Sequence, residues 1–110
     1  MKTFLLGSTK RQVLEMIPEC RIHKINLGDQ VIALVRSQEN FHAFQADCPH
    51  RGTSLVEGSL SSEHEVICPS HQYRFNLLTG EVKVGSCGDL EIYPTELTQE
   101  GLKVFISNDQ

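Results

Sequence analysis

Two segments of this 110-residue chain carry side chains of the kinds that can bind metal: Asp47-Cys48-Pro49-His50-Arg51-Gly52-Thr53-Ser54 and Cys68-Pro69-Ser70-His71-Gln72-Tyr73-Arg74-Phe75. Each supplies one thiol and one imidazole, as Cys48-x-His50 and Cys68-x-x-His71, with seventeen residues between the two pairs. Thiolate and neutral imidazole serve both zinc and iron–sulfur centres. A tetrahedral zinc accepts two Cys and two His, yet common zinc modules take both Cys from one close pair and both His from another. Here each segment gives one of each, which suits a binuclear centre where two thiolates hold one iron and two imidazoles the other. Ligand type alone leaves zinc open.

Composition narrows the setting. At 110 residues the chain is read as one domain, long enough to bury a core. With 14 acidic and 10 basic residues the net charge is -4, and no basic patch points to nucleic acid. The apolar run in Met1-Lys2-Thr3-Phe4-Leu5-Leu6-Gly7 stops early and Lys10-Arg11 follows, so this segment is read as part of the fold and not as a signal. No apolar run approaches a membrane span, and the expectation is a soluble, cytoplasmic protein with no membrane contact. Four Cys could be a disulfide framework in a secreted chain, whereas Cys clustered with His in a reducing compartment points to metal.

The elements that must position these residues are short strands. Apolar stretches rich in Val, Ile and Phe are broken by Gly, Asn, Asp and Ser, the pattern of an all-β domain. One short helix near the start is expected, because Thr9-Lys10-Arg11-Gln12 has capping-box form, Val13, Leu14 and Ile17 share a face, and Pro18 ends the run. Cys20 to Leu27 and Val31 to Arg36 read as a hairpin about Gly28-Asp29-Gln30, followed by a strand from Phe41 to Gln45. Glu65 to Ile67, Arg74 to Asn76 and Glu81 to Val84 read as strands, the last two about a turn at Thr79-Gly80. The final two are Leu90 to Leu97 and Leu102 to Ile106, turned at Gln99-Glu100-Gly101. No internal repeat is apparent. Residues 46 to 88 are rich in Cys, His, Gly, Ser and Pro with little periodicity, so a bound centre is expected to tie them down.

Cys48-Pro49-His50-Arg51-Gly52 and Cys68-Pro69-Ser70-His71-Gln72-Tyr73-Arg74-Phe75-Asn76, with Leu78-Thr79-Gly80 beyond, resemble the two cluster-binding loops of the Rieske [2Fe-2S] family. Thr53-Ser54-Leu55, Glu57-Gly58, Leu90 and Ile92-Tyr93-Pro94 extend the likeness to Rieske-type ferredoxins and the similar domains of ring-hydroxylating oxygenases. The resemblance implies an antiparallel β-sandwich over residues 1–110, with a cluster-binding subdomain inserted at about 46–88. It implies one [2Fe-2S] cluster, Cys48 and Cys68 on one iron, His50 and His71 on the other. Respiratory relatives carry a further Cys in each loop, forming a disulfide; here those positions are Thr53 and Ser70. They also place Ser and Tyr hydroxyls two and four residues after the second His, where this chain has Tyr73 and Phe75. Fewer donors to sulfur stabilise the reduced state less, which implies the low end of the family's range, roughly -150 mV. A third loop that usually carries prolines is here Val84-Gly85-Ser86-Cys87-Gly88, whose glycines would permit a close approach.

The function implied is one-electron transfer, without catalysis, between a flavin-dependent reductase and a terminal oxygenase, by a monomer. The alternatives are the small subunit of an assimilatory nitrite reductase, a zinc-stabilised binding module, and a redox or iron–sulfur sensor. Cys20 and Cys87 read as a small core residue and a loop residue, and His23, His42 and His64 as non-ligands. Arg51 and Arg74 are candidates for meeting an acidic partner, and Glu57, Glu63, Glu65 and Glu81 for a solvated face.

Overall fold

The run Ile32-Ala33-Leu34-Val35 is apolar without alternation, the pattern of a strand with both its faces covered. The computed structural model describes residues 2–49, 52–70, 72–85 and 87–106. In chain order the elements begin with β1 (Lys2–Leu6), α1 (Lys10–Met16), β2 (Ile22–Leu27), β3 (Gln30–Ser37) and β4 (Asn40–Gln45). A 3-10 turn (Leu55–Glu57) precedes β5 (Ser59–Leu60), β6 (Glu65–Ile67), β7 (Arg74–Asn76) and β8 (Val82–Val84). The chain then forms β9 (Ile92–Tyr93), β10 (Thr95–Thr98) and β11 (Gly101–Ile106). Three antiparallel sheets result, ordered β1-β11-β10, β2-β3-β4-β9 and β5-β6-β7-β8. Among the described residues no helix is long and apolar enough to cross a membrane.

The second sheet is the middle layer. From β3, Ile32 and Leu34 enter one core while Ala33 and Val35 enter the other, and all four are buried. β4 divides in the same way, with Phe41 and Ala43 on one side and Phe44 on the other. The first core is closed by β11, whose Leu102, Val104 and Ile106 point inward in the expected alternation, and by Val13 and Ile17. Each fully buried apolar side chain of this kind contributes about 1.5–3 kcal/mol.

Helix α1 starts where expected, with Thr9 Oγ1 accepting the Gln12 N–H at 3.1 Å. The reciprocal half of the capping box is displaced by one residue, since Gln12 Oε1 accepts from Ser8 N–H and hydroxyl at 2.6 and 2.7 Å. At the other end the carbonyls of Leu14 and Ile17 accept from Arg36 Nη1 at 2.9 and 3.1 Å, and Arg36 Nε donates to Gln38 O. A cation on β3 thus caps a helix terminus that carries negative partial charge, tying the helix to the middle layer.

The N-terminal segment, read as part of the fold, is a strand, β1, registered from Lys2↔Ile106 to Leu6↔Leu102. Two other sequence expectations change. Leu90 to Leu97 is two strands, because Pro94 has no N–H for a ladder. Tyr93 pairs with Ala43 in the middle sheet, Thr95 pairs with Val104 in the first, and Phe105 N–H donates to Pro94 O between them. The 46–88 segment also buries more than its composition suggests. Leu55, Val66, Phe75 and Leu77, followed by Leu90, join Ala33, Val35 and Phe44 in the second core. They come singly between turns, so no period advertises them.

Glu65 is also not solvated. Its side chain is only 10% exposed, accepting from Ser61 Oγ at 3.2 Å and lying 3.4 Å from Arg74 Nη1. The register explains this: Glu65 pairs with Asn76, which sets Arg74 diagonally across β6 and β7.

Two outcomes follow from these contacts. Arg36→Ala strips a charged donor from two helix-end carbonyls and lowers stability by about 2 kcal/mol; an unchanged urea midpoint would contradict the capping role. His42, registered opposite Val35 and half-buried, has its pKa held below the ordinary value by desolvation and then by His64. Its neutral form favours the fold, so that stabilisation is whole above about pH 6.5 and fades as pH falls through that value toward the lowered one. Urea unfolding across this window should show a shallower pH slope in His42→Gln than in the parent, and identical slopes would refute the assignment.

Candidate metal centre

The two cysteine segments fold into the same turn. In the first, Cys48 N–H donates to Thr53 O at 2.7 Å and Gly52 N–H to Cys48 O at 2.8 Å. In the second, Cys68 N–H donates to Tyr73 O at 2.8 Å and Gln72 N–H to Cys68 O at 3.0 Å. The offsets from each cysteine are equal. The residue four after the cysteine has positive φ in both, +76° at Gly52 and +61° at Gln72. Glycine enters that region without steric cost, whereas Gln72 does so against its side chain. A structural repeat is therefore present, and its visible trace is the shared Cys-Pro with the left-handed position at the same distance.

Each turn is mounted on the second core. Asp47 bridges to Ser54, and Leu55 N–H donates to Ala46 O, so the first turn caps a narrow hairpin rising from β4. The second is the tip of β6 and β7, where Val66 pairs with Phe75 and Ile67 with Arg74. The mounting buries both cysteines, leaving Cys48 2% and Cys68 1% exposed within the same core. None of the four cysteines is in a disulfide. Two buried thiols, each at the head of a turn closed by two backbone hydrogen bonds, suit soft-metal ligation, since a thiolate that is not solvated needs a cation as partner. His50, His71 and Arg51 lie outside the described residues, and among those that are described no three His, Cys, Asp or Glu side chains stand together as a metal site.

The third loop meets the second turn through Gly85. Its φ is +124°, and a Cβ there would stand 2.2 Å from Tyr73 Cδ2. The close approach expected of the loop glycines is thus made by Gly85, onto Tyr73, while Gly88 has open space around it. Cys87 packs partly buried against the second core, its Sγ donating to Gly88 O at 3.3 Å. Burial first, then the proximity of Asp89 and Cys68, push its thiol above the usual pKa.

Other candidates settle elsewhere. Cys20 is exposed, in a turn with φ of +65°, and is no core residue. Its place at the chain's entry into β2 explains why composition misled. His23 Nε2 lies 2.9 Å from Pro18 O. Arg74 is engaged by Glu65.

Comparison with known proteins agrees with this geometry. The family profile described as Rieske [2Fe-2S] domain matches residues 11–94. The "Alkene monooxygenase system, ferredoxin component" of Xanthobacter autotrophicus is 31% identical over 84 residues, 76% of this chain and 67% of that protein. The "3-phenylpropionate/cinnamic acid dioxygenase ferredoxin subunit" of Shigella boydii is 34% identical over 82% of this chain and 83% of its own length. Some other relatives are far longer, and the chain spans only 10% of apoptosis-inducing factor 3 of Homo sapiens. In structure, the ferredoxin of carbazole 1,9a-dioxygenase from Nocardioides aromaticivorans superposes with a TM-score of 0.82 at 18% identity, over 97% of this chain and 100% of that one. With paired cysteine turns on a three-layered β fold, and a family match across most of its length, the chain belongs to the Rieske [2Fe-2S] family.

Proposed function

We propose that this chain is a one-electron carrier holding a single [2Fe-2S] cluster, with Cys48 and Cys68 as ligands of one iron and His50 and His71 of the other. The observation that carries this reading is the pair of equivalent turns that present two buried thiols from one core. Bound there, the cluster supplies reversible uptake of one electron. The residues set how readily. Neutral imidazoles at 50 and 71 remove two negative charges relative to an all-Cys ligand set, which raises the potential. Phe75 is fully buried and has no hydroxyl, and the Tyr73 ring lies against Gly85, so a serine-sized donor is missing from position 73. Thr53 and Ser70 exclude a disulfide across the loops. These choices support the low end of the family range.

The partners we propose are a flavin-dependent reductase as donor and a terminal oxygenase as acceptor, in transient contact, with the protein a cytoplasmic monomer. The relatives named as ferredoxin components of an alkene monooxygenase and of a dioxygenase support this. The chain is a carrier and not a catalyst: all of its candidate ligands go to the cluster. No Gly-x-Gly-x-x-Gly is present for a nucleotide cofactor.

An anaerobic redox titration followed by visible absorption tests the reading. A midpoint near roughly -150 mV is expected, with electrons passing from a flavin reductase through this protein to a ring-hydroxylating oxygenase. A midpoint well above zero would contradict a low-potential carrier, and co-purification with a sirohaem enzyme would replace the oxygenase by a nitrite reductase.

A further inference from the structure

The segment from Val84 to Gly88 holds two glycines and no proline, so little in its own backbone orders it. Contacts must do so, and Gly85 makes one with an aromatic ring. A Cβ on Gly85 would stand 2.2, 2.4 and 2.6 Å from Cδ2, Cε2 and Cγ of Tyr73, which means that the glycine backbone rests directly on that side of the ring. No larger residue fits between them. Tyr73 is itself anchored to the cysteine turn, because its carbonyl accepts the Cys68 N–H at 2.8 Å. Its neighbour Arg74 pairs with Val84 across β7 and β8, at a register shift that bends the strand between Arg74 and Phe75. The loop's base is closed by Val82 N–H donating to Asp89 Oδ1 at 3.1 Å, and Cys87 rests on the core that contains Cys48 and Cys68.

From this contact we infer that Tyr73 is a positioning residue for the electron-transfer site: its ring, pressed beneath Gly85, holds the third loop over the Cys68 turn and limits water there. The inference rests on the proposed cluster site and deepens it. Tyr73 touches the Cys68 backbone and the covering loop, and its ring does the work. The consequence is electrostatic. Water stabilises the more negative, reduced state, so excluding it lowers the potential, and losing the ring raises the potential while admitting reagents.

The purified, cluster-loaded protein tests this with Tyr73→Ala, Tyr73→Phe and Gly85→Ala, each measured for iron and sulfide content, bleaching rate in excess chelator, and midpoint potential. Tyr73→Ala and Gly85→Ala should bleach about tenfold faster, the factor that ~1.4 kcal/mol of easier local opening gives. Both should show a raised midpoint. Tyr73→Phe keeps the ring and should stay close to the parent, with a much smaller change in rate and potential than Tyr73→Ala. Parental rates and potentials in Tyr73→Ala would overturn the inference, as would a Tyr73→Phe shift equal to that of Tyr73→Ala. If Gly85→Ala assembles no cluster, the Tyr73 variants decide, with Tyr73→Leu in place of Ala should that one also fail. Absence of any cluster in the unsubstituted protein is a different result, which removes the site proposal itself.

Discussion

In each cysteine turn two backbone hydrogen bonds converge on one residue: its N–H donates five residues ahead and its carbonyl accepts from four residues ahead. Closing the chain this tightly forces the fourth residue after the cysteine into the left-handed region, which glycine accepts at position 52 and Gln72 accepts under strain. It also sets both thiols in one buried core, Cys48 2% and Cys68 1% exposed. Both turns stand on buried residues, Leu55 under the first and Val66 and Phe75 under the second. The rest of the fold can be understood as the support that those turns require.

That support is a division of the middle sheet between two tasks. One face of β3 and β4, with β11 and the helix, builds a conventional apolar core of alternating strands. The opposite face carries the small sheet and both turns. Because β3 is buried on both sides, a change at Ala33 or Val35 reaches the site while Ile32 or Leu34 reaches only the scaffold. Pro94 is the hinge of this plan, ending the ladder in one sheet so that the chain can enter another. Arg36 secures the helix from the middle layer, so a partly buried cation has a structural task.

Much of this was legible in the residues. The helix start, the alternation of β11 and the candidate thiols follow from local rules, because caps, period-two strands and ligand spacing are properties of short segments. What was hidden depends on register or on contacts distant in sequence. The burial of Glu65 needs Arg74 placed diagonally across two strands, and the role of Gly85 needs a ring from twelve residues earlier. The equivalence of the two turns was obscured for a different reason: their left-handed positions hold unlike residues, Gly52 and Gln72, and their histidines stand at different offsets from the cysteines. Only the backbone bonds reveal the match. Cys20 misled because a cysteine's usual preference for the interior was overridden by a turn.

In the proposed mixed ligation, thiolates from 48 and 68 and imidazoles from 50 and 71 share one binuclear cluster. Pulsed electron paramagnetic resonance of the dithionite-reduced protein tests it most directly, because nitrogen ligands couple to the unpaired electron and sulfur ligands bring no such coupling. The expected spectrum is that of a reduced [2Fe-2S] centre with couplings from two imidazole nitrogens. A signal of the all-cysteine kind without nitrogen coupling, or a colourless zinc protein with no signal, would contradict it.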